Sequence, residues 1–370
     1  MHGILSSLRV VELSAFVAAP LGGATLAAMG ADVVRIDPLG GGIDANRWPL
    51  HQGRSLYWEN LNRGKRSVTL DLRSERGLEL AARIAAGAGT VLTNLPARGP
   101  LEYERLRERR PDVVVLSIGG RADGGAAVDY TVNAGMGFPW ITGPEGLDRP
   151  VNHVLPAWDV ATGYLAVAGL LAADRHRNLT GEGRHVRLSL ADVALVVAGS
   201  LGLLAEAQLV EEPRGRFGNH VYGTFGRDFR TRDGRFVMVL ALTPRQMRSL
   251  AEATGLPFER IEADLADEGE RWRHRDGLCA LLEPWVAERS LREVGDAFER
   301  HQVLWGPYLT FKQALERDAQ AWRPPATALD FVGEERRAAQ PAPTLGEHTA
   351  AVLEEIGEDA EELRADGVIA

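Results

Sequence analysis

The first forty residues restrict the fold more than any other part of the chain. Leu8–Leu13 (LRVVEL) is a short β-branched run. Phe16–Pro20 and a small-residue helix, Gly22–Gly30 (GGATLAAMG), separate it from a second run, Ala31–Ile36 (ADVVRI), closed by Asp37-Pro38 and the turn Gly40-Gly41-Gly42. Strand, helix and strand at this spacing form a βαβ unit, whose two strands run parallel. The rhythm recurs through Val68–Leu72, a helix over Leu78–Ala86, Thr90–Leu92, a helix around Tyr103–Arg109 and the apolar strand Val113–Ile118. Strands alternating with short helices predict an α/β fold, a parallel sheet with helices on both faces.

The grammar then changes. Asp129–Pro156 is rich in Gly, Pro, Asn and aromatic residues and reads as a long irregular segment of the kind that carries function. An apolar helix follows over Asp159–Arg177, then a glycine turn, a strand at His185–Ser189, a helix from Leu190 to about Ala207 and a linker over Glu211–Gly218. Asp233-Gly234 between Phe225–Phe229 and Arg235–Leu242 signals a β-hairpin. Helical patterns over Pro244–Thr254, Gly277–Ala287 and Leu291–Glu299 complete a smaller α+β domain, and Thr349–Ile356 forms a last helix.

Composition narrows the function classes. A net charge of −9 provides no global field to attract a phosphate backbone, which argues against nucleic acid as a partner. No apolar run approaches the ~18 residues that span a bilayer, so no membrane partner is expected. The opening MHGILSSLRV lacks the layout of a signal peptide. A single cysteine, Cys279, leaves no disulfide framework and no multi-cysteine metal site, and no metal is expected. Together these features point to a cytoplasmic protein.

Two familiar chemistries fail on their motifs. Asp37 ends the second strand where an acidic residue would meet a ribose, yet the loop after the first strand lacks the G-x-G-x-x-G that a pyrophosphate needs. There is no G-x-S-x-G elbow and no H-E-x-x-H. Asp159 stands out instead, at the junction between Val151–Trp158 (VNHVLPAW) and an apolar helix. Asp is a preferred N-cap residue, and a helix N-terminus favours the ionised carboxylate that covalent carboxylate catalysis requires. Both roles fit the position.

Four segments in order resemble the class III CoA-transferases and α-methylacyl-CoA racemases. These are LRVVELSAFVAAPLGGATLAAMGADVVRIDPLGGG at the start, NRGKRSVTLDLRSERG at 62–77, TGEGRHVRLSLAD at 180–192 and APTLGEHTAAVLEEIG at 342–357. The resemblance implies a Rossmann-like large domain built from both chain ends, a smaller α+β domain and an interlocked homodimer. The expected divisions are 1–210 for the large domain, 220–325 for the small one and 326–370 for the return to the large one. Coenzyme A is expected as part of an acyl-CoA substrate, with no permanently bound cofactor.

By the same resemblance Asp159 is the catalytic nucleophile, attacking an acyl-CoA thioester to begin transfer of CoA between carboxylates. Arg35, Arg73, Asn94 and Leu95 are expected to line the CoA groove, with Lys65 in a nearby basic cluster with Arg63 and Arg66. Val17 stands where some members carry a glutamine, and Val128 where the racemases carry a catalytic histidine, which leaves CoA transfer ahead of racemisation. Segments at 128–144, 150–164, 217–229 and 243–246 resemble members that move CoA between the two carboxyls of one unsaturated C5 diacid. The alternatives are intermolecular transfer to another dicarboxylate and racemisation. For such a substrate, Asn152, His153, Asn219 and Arg227 are candidates to hold the distal carboxylate, with Phe138, Trp140 and Trp158 as walls.

Overall fold

The computed structural model describes residues 3–317, 327–333 and 338–370. Its main sheet has six strands: β1 (Arg9–Leu13), β2 (Asp32–Pro38), β3 (Arg66–Leu70), β4 (Thr90–Thr93), β5 (Val114–Gly119) and β6 (His185–Ser189). They lie in the order β3-β2-β1-β4-β5-β6 and every pair is parallel. This is the doubly wound order 3-2-1-4-5-6, whose topological switch point falls between β1 and β4.

Successive residues of a strand face opposite sides of a sheet, and here each side carries its own core. Val11, Val34 and Val115 join one apolar cluster, while their neighbours Val10, Val33 and Leu116 join the other. The first cluster also takes in Val352, Leu353, Leu363, Val368 and Ile369, so the C-terminal segment packs on the same sheet as the N-terminal strands. Backbone bonds from Asp71 to the Val368 carbonyl and from His348 to the Ser67 carbonyl hold it there.

Helix α1 (Ala18–Ala28) explains the run of small residues after β1. A Cβ on Gly23 would lie 1.7 Å from Oε2 of Glu12, and one on Gly22 would lie 3.2 Å from the Gly163 carbonyl. Glycine is what allows α1 to press against β1 on one side and against a second helix, α2 (Ala157–Thr180), on the other. α2 begins two residues before the expected start, and Gly181, at φ +75°, ends it in a left-handed cap.

The segment 129–156 departs from expectation. It is not irregular throughout, since Asp129–Gly135 and Phe138–Ile141 are short helices. The helix expected from Leu190 to about Ala207 is also two pieces, Leu190–Ser200 and Leu203–Leu209, bent by 65° at Leu201-Gly202, where Gly202 takes φ +76°. No single helix among the described residues is long and apolar enough to cross a membrane.

The chain divides into two compact units. The first comprises Met1–Met136, His153–Val210 and Pro324–Ala370; the second comprises Gly137–Asn152 and Glu211–Arg323. The second unit thus also takes in residues 137–152, and the expected boundary at 325/326 lies outside the described residues. The second unit has an antiparallel sheet of β7 (Phe225–Arg230), β8 (Phe236–Ala241) and β9 (Leu304–Pro307), in the order β9-β8-β7. Gly234, at φ +73°, provides the tight turn of the hairpin between β7 and β8. Phe225, Phe229, Val237, Val239, Leu278, Leu282 and Phe298 fill its core.

Candidate active site

Asp159 is the third residue of α2, not its N-cap. Pro156 occupies the cap position and offers no capping side chain. The cap comes from another element. Oδ2 of Asp129, the first residue of the 129–135 helix, accepts the backbone N–H of Trp158 at 2.7 Å and of Asp159 at 3.1 Å. Two of the four orphan donors of α2 are satisfied in this way, which leaves the Asp159 carboxylate free of capping duty. Trp158 is buried and its indole N–H donates to Asn133 Oδ1 at 3.2 Å, pinning the same two helices together.

Burial drives the Asp159 carboxyl up to about 6, the neighbouring Asp129 charge adds to the rise, and Arg47 opposes it. The expected pull of the helix N-terminus toward the ionised form is therefore outweighed by desolvation and a like charge. At pH 7 a group titrating near 6 is still about nine-tenths ionised. The result is a carboxylate that is available at neutral pH, more basic than an ordinary aspartate and, among the described residues, without an ion-pair partner.

His153 lies with its Nε2 3.4 Å from Oδ1 of Asp129, and its ring centroid lies 6.3 Å from that of Trp158. The structure brings His153 to the Asp159 region. It places Asn152, Asn219 and Arg227 in the second unit, together with Phe138 and Trp140. Arg227 there pairs with Glu283 at 3.3 Å and lies over the Phe229 ring. Val17 is buried at the N-cap position of α1 with no side-chain hydrogen bond, so it supplies packing and no donor. Val128 is exposed at the N-cap position of the 129–135 helix.

Two residues expected in the CoA groove are instead internal. Arg35 is 1% exposed; its guanidinium is bonded to Asp37, Asp44, Asn62 and the Ser14 carbonyl, and it lies 4.8 Å from the Trp58 ring centroid. Lys65 is 3% exposed and donates to Glu12, Asn62 and the Pro20 carbonyl. Burial pushes the Lys65 ammonium down to about 8 against the pull of Glu12. Their donors are committed below the surface, a depth that the local sequence around either residue does not reveal.

Asn94 is likewise committed. Its amide Oδ1 accepts the Ala15 N–H at 2.9 Å and its Nδ2 donates to the Ala15 carbonyl at 2.7 Å. The two bonds tie the loops after β1 and β4 at the switch point. Leu95 and Arg73 are exposed and line a cleft of about 820 Å³ that runs along β4, β5 and β6 and reaches the carboxyl ends of all five strands β1, β2, β4, β5 and β6, with Arg98, Tyr103 and Arg121. Ligands of open α/β sheets bind outside the carboxyl ends of the strands, and this cleft offers cations and apolar surface there. Among the described residues no group of three or more His, Cys, Asp or Glu could hold a metal ion.

The sequence reading missed Asp129 and Arg47. Asp129 opens the segment expected to be irregular, and its role depends on a residue 30 positions away. Arg47 lies in a glycine-rich stretch with no periodicity, and nothing local connects it to Asp159.

Comparison with known proteins bears on this geometry. The sequence profile described as CoA-transferase family III matches residues 5–349. The 2-methylfumaryl-CoA isomerase of Chloroflexus aurantiacus is 48% identical, over 96% of this chain and 94% of its own length. The succinyl-CoA:mesaconate CoA-transferase of Haloarcula hispanica is 32% identical, over 80% of this chain and 78% of its own. Among solved structures, a CAIB/BAIF family protein from Brucella suis superimposes with a TM-score of 0.81 at 26% identity, covering 96% of this chain and all of that one. A profile match across nearly the whole chain, joined to a doubly wound sheet on which the C-terminal segment packs, leaves one assignment: this chain belongs to CoA-transferase family III.

Proposed function

We propose that this enzyme moves CoA between the two carboxyls of 2-methylfumarate through covalent attachment to Asp159. The observation that carries the reading is Asp159 itself, a half-buried carboxylate titrating near 6 at the head of α2 in a chain 48% identical to a 2-methylfumaryl-CoA isomerase.

The Asp159 carboxylate attacks the C1 thioester carbonyl, and the C–S bond breaks to release CoA thiolate and leave a mixed anhydride. The thiolate attacks the aspartyl carbonyl of that anhydride, which releases the free diacid and leaves CoA on Asp159 as a thioester. The C4 carboxylate then attacks the aspartyl thioester and expels the thiolate. Finally the thiolate attacks the C4 carbonyl, frees the Asp159 carboxylate and leaves CoA on C4. Every bond broken is matched by one of similar activation, so the sequence consumes no water, nucleotide or metal, and covalent catalysis divides one hard exchange into easier ones.

The CoA portion is assigned to the cleft that Arg73 and Leu95 line, where cations can meet its phosphates. Because charged acyl-CoA thioesters do not cross bilayers unaided, the same reading places the enzyme with its substrate in the cytoplasm. It also includes an interlocked homodimer. Tyr164, Leu165, Val196, Leu201 and Leu209 are between 45% and 83% exposed on α2 and the helices that follow, an apolar surface suited to a partner.

The test is incubation of the purified protein with mesaconyl-C1-CoA and no added acid, followed by chromatography and mass spectrometry, with Asp159→Ala alongside. Conversion to an isomer of equal mass, lost in the variant, is expected. A requirement for added free dicarboxylate would replace the intramolecular reading with an intermolecular one.

A further inference from the structure

Among the described residues the buried cations Arg35 and Lys65 are ion-paired; the half-buried Arg47 is not. It follows the short 3-10 turn Ile43–Asn46, and its guanidinium carbon lies 4.2 Å from the Tyr57 ring centroid and 5.5 Å from that of Phe16. The Nη1 atom is buried and has no hydrogen-bond partner, and among the described residues the guanidinium has no ion pair. A buried donor kept without a partner destabilises a fold and calls for an explanation. Two aromatic faces fix the plane of the guanidinium but leave its edge donors unused.

The setting is built. Asp44, in the turn just before Arg47, is buried; its Oδ2 accepts from Arg35 Nη2 at 3.0 Å and its Oδ1 accepts the Phe16 N–H at 2.9 Å. Phe16 is held at φ +65°, a left-handed conformation that a bulky side chain adopts only where its surroundings impose it. The internal Arg35 network therefore fixes both the turn that carries Arg47 and the loop that carries one of its rings. That loop runs into α1, where the Ala18 carbonyl would lie 2.7 Å from a Cβ on Gly163, one turn along α2 from Asp159. Arg47 and Asp159 thus flank the same loop. Arg47 is also the cation whose field is felt at Asp159, yet the two form no ion pair, so the nucleophile is not tied up.

We propose that Arg47 receives the free carboxylate of a dicarboxylic acyl-CoA beside Asp159, and so determines the preference for substrates with a second carboxyl group. This rests on the transfer reading given above. A guanidinium with unused edge donors matches a carboxylate in two parallel bonds. In a C1-to-C4 exchange one carboxyl is always free, so an anchored anion keeps the diacid in place while CoA resides on Asp159. The same cation offsets repulsion between that anion and the Asp159 carboxylate.

The test uses two thioethers that cannot acylate Asp159, S-(3-carboxypropyl)-CoA and S-butyl-CoA, with calorimetric binding to wild type, Arg47→Gln and Arg47→Lys. Wild type is expected to bind the carboxylated ligand more tightly. Arg47→Gln should weaken it on the order of 10- to 100-fold, the worth of a charge-assisted pair, and change S-butyl-CoA by less than about 2-fold. Arg47→Lys, which keeps the charge but loses the fork, should fall between. Equal losses for both ligands, no loss for either, or no preference in the wild type would overturn the proposal. If Arg47→Gln fails to fold, Arg47→Lys read against wild type still decides, because a selective loss for the carboxylated ligand is required of it. These ligands report on the cation whether or not mesaconyl-C1-CoA is isomerised, so failure of the transfer reading remains a separate result from the wild-type assay.

Discussion

Replacing Asp159 with asparagine should stabilise the protein at neutral pH while abolishing transfer. The carboxyl titrates near 6 in the folded chain against a reference of 3.8, a rise caused first by burial and then by the charge of Asp129. Two pKa units correspond to about 3 kcal/mol, and partial exposure of the group to water reduces this to about 1–2 kcal/mol. The sign follows from proton linkage. Between pH 4 and 6 the folded state binds the proton more tightly than the unfolded state does, so the stability due to Asp159 is complete below the unfolded value and lost as pH rises through about 6. Asparagine cannot ionise and does not incur that loss. Calorimetric melting of wild type and Asp159→Asn should therefore show the variant about 1–3 °C more stable at pH 7.5, with the gain vanishing toward pH 4. A variant no more stable than wild type at pH 7.5, or a gain independent of pH, would refute the claim that the folded state holds this carboxylate at a cost.

Three further outcomes follow from the same geometry. Asp129→Asn keeps an oxygen to accept the Trp158 and Asp159 N–H groups but removes a charge that raises Asp159, so the acid limb of the kcat/KM profile should move to lower pH; an unmoved limb would contradict the coupling. Lys65→Met should cost about 3–5 kcal/mol, measured by chemical denaturation, because Glu12 is left buried without its ammonium, while S-butyl-CoA affinity of the folded protein stays within about 2-fold. Arg73→Ala should weaken CoA binding on the order of 10-fold in a salt-dependent manner, measured by calorimetry at two ionic strengths, with stability nearly unchanged because its side chain is exposed.

What the sequence determined is what short-range pattern can encode. The runs LRVVEL and ADVVRI, the small residues between them and the repeated strand–helix spacing required a parallel sheet, because strands buried on both faces are apolar throughout and crossover helices must separate them. The Asp233-Gly234 turn required a hairpin for the same local reason. Asp159 was visible as a carboxylate at a helix start, and the order of four motifs pointed to the family.

Depth and pairing were not visible. Arg35, Lys65 and Arg73 share one expected role as cations for CoA, and only packing separates two that are enclosed with Glu12, Asp37 and Asp44 from one that faces a cleft. The cap on α2 comes from Asp129 across an intervening stretch of chain, and the charge balance at Asp159 is set by Asp129 and Arg47, which no periodicity links to it. Local pattern fixes which residues form strands and helices because backbone geometry repeats every two or 3.6 residues. The environment of a charge is a sum over neighbours brought together by the fold, so only the tertiary structure decides whether a carboxylate is a cap, a buried partner or a nucleophile.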